Sequence, residues 1–220
     1  MVLRLSGGRR LRSPRGDVAR PTTGRVRSAV MNMLAPEIRA CRWLELCAGS
    51  AIMACEALQR GAACVVAVER DPGVAAVARS NLAVVAASLP DHGPSVPEVA
   101  VIQQEALRFL RSGAEANGME PFDLIYADPP WAAGLHSPLA AAVAAGGWLA
   151  PGGTMILECG KDAAVAVPRG WRERRRRIYG ASALVLLTSE PEWKDSSSNG
   201  EIGPERKDQS PDQGRNPSNP

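Results

Sequence analysis

The segment Trp43–Pro72, WLELCAGSAIMACEALQRGAACVVAVERDP, decides the fold. It alternates apolar runs typical of buried strands with stretches of helical periodicity, and a glycine stands where the first helix must stop. The elements predicted inside it are a strand over Trp43–Cys47, a helix over Ala51–Arg60, a strand over Cys64–Val68 and a helix that begins at Asp71 followed by Pro72. Strands joined through helices in this way are typical of a parallel sheet.

The same alternation continues to about residue 190. The further predicted elements are the remainder of the helix to Ala87, a strand over Val99–Gln103, a helix from Ala106, a strand over Phe122–Ala127, a helix near 138–145 and strands over Thr154–Cys159 and Ala183–Thr188. Residues 88–98 contain three Pro and one Gly and are predicted to form a loop. We therefore predict the α/β class, with one doubly wound, mostly parallel sheet over residues 43–190 and helices on both faces.

A basic extension over residues 1–42 precedes this domain. It carries ten Arg against Asp17 and Glu37, a local balance of +8, whereas the whole chain carries only +3. Gly7-Gly8 predicts a short hairpin, and Thr22 or Thr23 can cap a helix from which Arg25 and Arg27 project. A basic surface of this kind fits a phosphate backbone. A solvated surface explains the charge equally well, and both interpretations stay open.

The remaining composition bounds the class of protein. Residues 191–220 are rich in Ser, Asn, Pro, Gly and charge, which predicts a disordered tail. Five irregularly spaced Cys without a CxxC motif indicate buried free thiols in a reducing compartment, so we expect a cytoplasmic protein without a metal site. The Arg-studded start lacks the apolar run of a signal peptide, although an organelle transit peptide stays an alternative, and we expect no membrane span.

A ligand turn follows the first strand of the sheet. The small residues Cys47-Ala48-Gly49-Ser50-Ala51 let the backbone approach a ligand and aim helix N–H groups at it. The next strand ends in Glu69-Arg70-Asp71, about twenty residues on, where an acidic side chain typically binds ribose hydroxyls. Asp71 suits the role of a helix cap better than Glu69 does. The two features together predict a nucleoside cofactor.

The sequence Asp128-Pro129-Pro130-Trp131 directly follows the apolar strand Phe122–Ala127. In an open parallel sheet, the carboxyl ends of the strands line the ligand crevice. A carboxylate and a backbone carbonyl can accept the two hydrogens of an exocyclic amine and orient its nitrogen, while a neighbouring aromatic ring stacks on the base. The alternative is a proline-stiffened turn with a buried Trp. The position at a strand end favours methylation of an amino group on a nucleic-acid base.

These residues resemble the (D/N)PP(aromatic) signature of amino-group methyltransferases. The 47–51 turn is similar to the first motif of those enzymes, and Trp148–Gly153, WLAPGG, is similar to the lead into their fifth strand. Arg20–Leu34, RPTTGRVRSAVMNML, resembles the N-terminal signature of the bacterial 16S ribosomal RNA guanine(966)-N2 methyltransferases. The resemblance covers residues 2–189. It implies a Rossmann-like class I fold, S-adenosylmethionine as the cofactor, and ribosomal RNA or an assembling small ribosomal subunit as the partner.

The resemblance also implies a role for individual residues. Those expected at the cofactor are Glu45, Cys47, Ala48, Gly49 and Ser50 toward its methionine end, Glu69 with Arg70 at its ribose, and Glu105 with Ala106 at its adenine. Those expected at the target guanine are Asp128, Pro129, Pro130 and Trp131. Those expected at RNA phosphates are Arg20, Thr22, Thr23, Arg25 and Arg27.

One departure from the family pattern leaves alternatives open. Ala51 stands where the family usually has a second glycine, and its methyl group is readily tolerated only if φ is negative. A catalytically weakened RNA-binding assembly factor is therefore an alternative to a guanine-N2 methyltransferase. An adenine-N6 methyltransferase acting on RNA or DNA is the other, because such enzymes use the same four-residue loop.

Overall fold

A seven-stranded sheet with helices on both faces forms the body of the protein. The computed structural model describes residues 3–14, 23–89 and 96–190. Its strands are β1 (Leu3–Arg4), β2 (Arg10–Leu11), β3 (Arg42–Leu46), β4 (Cys64–Glu69), β5 (Glu98–Gln103), β6 (Phe122–Ala127), β7 (Leu149–Gly160), β8 (Trp171–Tyr179) and β9 (Ser182–Ser189). Its helices are α1 (Gly24–Met33), α2 (Ala35–Ile38), α3 (Ile52–Gln59), α4 (Pro72–Ala86), α5 (Ala106–Arg111) and α6 (His136–Ala145), with short 3₁₀ turns at Glu115–Asn117 and Trp131–Ala133.

The strand order in the main sheet is β5-β4-β3-β6-β7-β9-β8. The five strands from β5 to β7 are parallel, and β9 and β8 add antiparallel pairs at one edge. The chain runs outward from β3 to β4 and β5, then returns to the other side of β3 as β6. This reversal opens a crevice at the carboxyl ends of β3 and β6, where ligands of doubly wound folds bind. The predicted fold class is confirmed.

Burial explains why the central strands are nearly continuous apolar runs. Trp43, Leu124 and Ile156 pack on one face with α1, α3 and α4, and Leu44 and Ile125 pack on the other with α5 and α6. Strands covered on both faces cannot show polar alternation. The caps agree with local chemistry, since the Asp71 carboxylate accepts the Val74 N–H at 2.9 Å and Pro72 occupies the first turn of α4.

The N-terminal extension shares the core of the main domain. The hairpin β1–β2 forms as predicted, and its leucines Leu3, Leu5 and Leu11 are buried in the same cluster as Val30 of α1 and Leu58 of α3. The predicted boundary after residue 42 therefore divides a basic segment from the main sheet, but both parts share one hydrophobic core. Residues 15–22, which include Arg20 and Thr22, and residues 191–220 lie outside the described part of the chain.

The structure adds elements that the sequence analysis omitted. The strand β8 was not predicted, because its sequence WRERRRRIY has no apolar alternation, and α2 was not predicted either. The strand β7 begins at Leu149 rather than Thr154, and α6 begins at His136 rather than near residue 138. Within residues 3–14, 23–89 and 96–190, no helix has the length and apolar character needed to cross a bilayer. In the same ranges, no cluster of His, Cys, Asp and Glu is arranged to hold a metal ion.

Candidate active site

A cleft of about 1340 Å³ opens at the carboxyl ends of the parallel strands. Typical ligand pockets measure roughly 300–1000 Å³, so this cleft has room for a nucleoside cofactor and a target base together. Its lining includes all thirteen residues predicted for the cofactor and the target amine: Glu45, Cys47, Ala48, Gly49, Ser50, Glu69, Arg70, Glu105, Ala106, Asp128, Pro129, Pro130 and Trp131. The fold thus brings together residues that are up to 86 positions apart in the sequence.

The turn after β3 is left-handed at three alternate positions. Cys47, Gly49 and Ala51 have φ values of +57°, +54° and +56°. Ala51 is the N-cap residue of α3, provides no side-chain cap and is fully buried. A left-handed conformation costs an L-residue about 1–2 kcal/mol, because its Cβ approaches the carbonyl oxygen. Ala51 therefore occupies the conformation that favours glycine, and the turn carries strain at the mouth of the cleft.

Glu69 fastens the ligand turn to the end of β4. One carboxylate oxygen accepts the N–H of Gly49 and the other accepts the N–H of Asp71, both at 2.9 Å. These two bonds fix the carboxylate at the cleft wall while each oxygen keeps a second lone pair for a ligand. Arg70 beside it is exposed on the rim.

Glu105 and Ala106 form the far wall of the cleft. Glu105 caps α5, because its carboxylate accepts the N–H groups of Leu107 at 3.0 Å and Arg108 at 2.7 Å. Ala106 is buried and presents a small apolar surface in the first turn of that helix. The apolar Ala106 side chain therefore lies beside the Glu105 carboxylate, and this combination suits a heterocyclic ring.

Glu45 is a buried carboxyl group under the ligand turn. It is 3% exposed and accepts the N–H of Ala54 in α3 at 2.6 Å. Burial raises the pKa of the Glu45 carboxyl to about 8, and the negative charges of Asp128 and Glu69 add to the shift, whereas backbone N–H groups partly offset it. A cationic ligand in the cleft would favour the ionised form of this group.

The loop Asp128–Trp131 follows β6 at the centre of the crevice. Pro129 is buried, and Trp131 opens the short 3₁₀ turn that leads toward α6. A Cβ atom built on Gly160 would lie 3.5 Å from the Trp131 ring, an ordinary van der Waals distance, so the ring lies beside the end of β7. The loop thereby presents a carboxylate and a large ring at the same edge of the sheet.

Sequence reasoning missed Tyr126 and Glu158, which also line the cleft. The buried Tyr126 hydroxyl donates to the Glu158 carboxylate at 2.6 Å, and the Glu158 carbonyl lies 3.0 Å from His136 Nε2. Burial lowers the pKa of His136, which favours the neutral ring. Tyr126 precedes Asp128 by two positions and Glu158 lies two residues before the end of β7, so strand alternation could have placed both of them on the site.

The register puts these polar groups on one face of the sheet. Glu45 pairs with Tyr126 across β3 and β6, and Ala127 pairs with Leu157 across β6 and β7. Paired residues of neighbouring strands point to the same face and successive residues alternate, so Glu158 lies on the face that carries Tyr126. One further step of this register would bring Asp128, the residue after β6, beside Glu158, and both residues line the cleft. The site therefore concentrates hydrogen-bond acceptors at one end of this face.

The residues predicted to meet RNA phosphates are placed less uniformly. Thr23 caps α1 by accepting the Val26 N–H at 3.3 Å, and it lines the cleft, while Arg25 is exposed. Arg27 instead bonds the fully buried Glu56 at 3.0 Å and the Arg4 carbonyl at 2.7 Å. Its guanidinium is thus engaged inside the protein, which supports a structural role, and the phosphate contact expected at Arg27 stays a prediction.

Comparisons with known proteins identify the family of this chain and a solved structure with a similar fold. The family model described as "Conserved hypothetical protein 95" matches residues 5–188. Ribosomal RNA small subunit methyltransferase D of Escherichia coli is 31% identical over 184 residues, which are 83% of this chain and 86% of the relative. The protein of the same name from Haemophilus influenzae is 29% identical over 81% and 88% of the two chains. The solved structure of the methyltransferase candidate yhhF from Escherichia coli superimposes with a TM-score of 0.73 at 28% identity, covering 87% of this chain and all of that one.

Proposed function

This chain belongs to the family described as conserved hypothetical protein 95, and from that premise we propose that it transfers a methyl group from S-adenosylmethionine to N2 of a guanine in small-subunit ribosomal RNA. Two relatives that match over most of their length are named ribosomal RNA small subunit methyltransferase D. The cleft contains the groups that the cofactor and an amino-bearing base would need. A cytoplasmic location is part of this proposal, because the proposed substrate is ribosomal RNA.

The cofactor would occupy the half of the cleft that lies between β3, β4 and α5. The turn at 47–51 would receive its methionine end, Glu69 its ribose hydroxyls, and Glu105 with Ala106 its adenine. When bound, S-adenosylmethionine supplies an electrophilic methyl group on a cationic sulfur. Glu45 would then be the buried negative charge on that side of the cleft, because a cationic ligand favours ionisation of a carboxyl group whose pKa burial raises to about 8.

The acceptor-rich face at the end of β6 and β7 is the observation that carries the choice of guanine. Guanine presents N1–H and the N2 amino group side by side, so this part of its edge offers two neighbouring donors, with the O6 acceptor on the far side of N1. Asp128 and Glu158 are carboxylates that line the same cleft, and carboxylates only accept when ionised. Adenine presents an acceptor at N1 beside its N6 amine and would meet a carboxylate with repulsion. The structure therefore favours guanine over the adenine alternative.

Catalysis would come from orientation and from a place for a proton. The lone pair of an exocyclic amine is delocalised into the ring, so the nitrogen must be held with its lone pair directed at the methyl group. Asp128 would accept an amine hydrogen, and the Trp131 ring would fix the plane of the base by stacking. As the N–CH₃ bond forms and the S–CH₃ bond breaks, the nitrogen loses one proton, which Asp128 and solvent take up.

Nucleoside mass spectrometry of ribosomal RNA from a strain that lacks the gene tests this function. We expect one N2-methylguanosine to disappear from the small-subunit RNA and to return with the wild-type protein. A folded Asp128→Ala protein should fail to restore it while still binding S-adenosylmethionine in calorimetry. Loss of N6-methyladenosine instead would support the adenine alternative. An unchanged modification profile would favour the assembly factor.

The form of the substrate can be decided in the same system. We propose an assembling small subunit as the natural partner, because a cleft at the edge of a sheet needs the target base to be splayed out and held. Methyl transfer to naked 16S RNA and to isolated small-subunit particles should be compared at equal RNA concentration. Faster transfer to naked RNA would contradict the preference for the particle but not the methyltransferase function.

A further inference from the structure

The edge strand β8 is the most basic described segment outside the cleft. Residues 172–177 of its sequence, RERRRR, contain five Arg and one Glu. The strand lies at the end of the sheet order next to β9, so one of its backbone edges has no neighbouring strand among the described residues. Charge on an edge strand discourages pairing between sheets. Discouraging such pairing does not require five positive charges. The five arginines divide into those that form an ion pair with a carboxylate and those that do not.

Two of the five arginines form ion pairs with carboxylates at the surface of the protein. Arg174 lies 3.4 Å from the Glu37 carboxylate and donates to the Thr154 hydroxyl at 3.1 Å. Arg176 pairs with Glu173 at 2.9 Å. In contrast, Arg172, Arg175 and Arg177 are exposed, and within the described residues none of the three forms an ion pair with a carboxylate.

A bulge at Arg174 places the three uncompensated arginines on the same face. Their partners in β9 are Thr188 for Arg172, Leu186 for Arg175 and Leu184 for Arg177, which are alternate residues of β9. Alternate residues point to the same face, so the three guanidinium groups form a row about 13 Å long at roughly 3.3 Å per residue. Without the extra residue at the bulge, Arg172 would point to the opposite face. We call these three residues the arginine row.

The arginine row lies on the face that carries the candidate active site. Arg177 pairs with Leu184 in β9, and Leu184 pairs with Glu158 in β7. Arg177 is therefore two strand spacings from Glu158, about 10 Å, and three from the end of β6, which Asp128 follows, about 15 Å. The row runs from the level of the catalytic loop toward the opposite end of the strands.

We propose that the arginine row binds the phosphate backbone of the RNA that flanks the target base. This inference rests on the proposed function, since it assigns a second contact surface to the same substrate. Guanidinium groups bind phosphate oxygens in a bidentate manner, and a row without acidic partners offers its full positive charge. Contacts of this kind position the RNA without reading its sequence. The row is placed to hold the strand while the base enters the cleft.

A triple substitution tests the row against a matched control. The variant carries Arg172→Gln, Arg175→Gln and Arg177→Gln. The control carries Arg39→Gln, Arg79→Gln and Arg111→Gln, which remove the same charge from exposed positions just after α2, on α4 and on α5. Binding of naked 16S RNA is measured by filter retention between 50 and 200 mM KCl, and binding of S-adenosylmethionine is measured by calorimetry.

Each lost phosphate contact lowers the slope of log affinity against log salt by about 0.7–0.9. In the row variant, we expect the magnitude of this slope to fall by about 2. We expect its affinity for RNA at 100 mM KCl to fall at least tenfold. The control should stay within about twofold of the wild type, and all three proteins should bind the cofactor equally. The KM for RNA should rise in the row variant while kcat at saturating RNA changes little.

Three results would overturn the inference, and each has a separate meaning. An unchanged salt slope in the row variant, with wild-type binding intact, contradicts the row but leaves the proposed function standing. If the row variant loses activity on ribosomal particles but keeps normal activity on naked RNA, the row binds a ribosomal protein instead of the RNA. A wild-type protein that neither binds nor methylates ribosomal RNA contradicts the proposed function and the row together.

Discussion

Ala51 is a strained residue in the turn that is predicted to hold the cofactor. Its φ of +56° makes an alanine adopt a conformation that glycine adopts at no steric cost. We expect Ala51→Gly to raise the free energy of unfolding by about 1 kcal/mol, because relief of the strain exceeds the greater entropy of glycine in the unfolded chain. Binding of S-adenosylmethionine should be equal or tighter.

The matched control for this change is Ala54→Gly, inside the helix that Ala51 caps. Ala54 is buried in a helical conformation, so glycine there should lower stability by about 1 kcal/mol or more. Urea denaturation and calorimetric titration of both variants measure the two effects. A loss of stability or of cofactor affinity in Ala51→Gly would show that the turn does not resist the alanine methyl group.

Glu45 should make stability depend on pH in a defined direction. Burial raises its pKa from the ordinary value of 4.5 to about 8, so the folded protein holds the proton more tightly than the unfolded chain does. Its contribution to stability is full below pH 4.5 and is lost as the pH rises through 8. In Glu45→Gln, which keeps an oxygen to accept the Ala54 N–H, this loss should disappear.

Urea denaturation of both proteins at pH 5, 6.5 and 8 gives the comparison. The difference in unfolding free energy should move in favour of Glu45→Gln as the pH rises, because the variant has no carboxylate to ionise at this site. A difference that stays constant across this range would show that the carboxyl group titrates near its ordinary pKa in the folded protein.

At the scale of elements, a buried ion cluster joins the hairpin, α1 and α3. Glu56 has a fully buried side chain and accepts from Arg27, Arg60 and both the backbone and the hydroxyl of Ser6. Removal of one partner from a buried ion pair leaves charge uncompensated, which is strongly destabilising. We expect Arg27→Ala to lower the free energy of unfolding by up to about 3 kcal/mol, since Arg60 remains.

Arg25, two residues away and exposed, is the control for this cluster. Arg25→Ala should change stability by less than about 0.5 kcal/mol. If Arg25 contacts RNA, its loss should also lower the salt dependence of RNA binding, whereas Arg27→Ala should leave that slope unchanged in the fraction that is folded. If Arg27→Ala instead lowered the salt slope and left stability unchanged, Arg27 would be an RNA contact and not a structural residue.

At the scale of the whole molecule, the basic extension and the sheet should unfold together. Leu5 of the hairpin is 3% exposed and packs in the core cluster that contains α1 and α3. Truncation of a buried leucine costs about 2–5 kcal/mol, so Leu5→Ala should shift the whole unfolding transition to lower denaturant. Val84→Ala, at a residue that is 47% exposed on α4, is the control and should change little.

Circular dichroism and tryptophan fluorescence should give the same midpoint for each of these proteins, because a shared core unfolds as one cooperative unit. Two separate transitions, with only the first moved by Leu5→Ala, would show that the extension is an independent unit. That outcome would also weaken the assignment of Thr23 to the cleft, since α1 would not be fixed relative to the sheet.

The sequence by itself determined the features that depend on neighbouring residues. The alternation of apolar strands and helices, the cap at Asp71 and the order of the motifs predicted the sheet, and family membership is confirmed by the comparisons. The cofactor and target residues converge on one cleft, although their individual roles stay predictions. These features could be predicted because propensity, periodicity and capping act over a few residues.

Only the tertiary structure decided the features that join distant parts of the chain. Tyr126 bonds Glu158 across 32 positions, and Arg27 meets Glu56 across 29, which no local pattern indicates. The left-handed φ of Ala51 is imposed by the turn that packs around it, and β8 becomes a strand through its pairing with β9 despite a sequence without apolar alternation. In each case the deciding energy comes from contacts between residues far apart in the sequence, and only the folded chain brings those residues together.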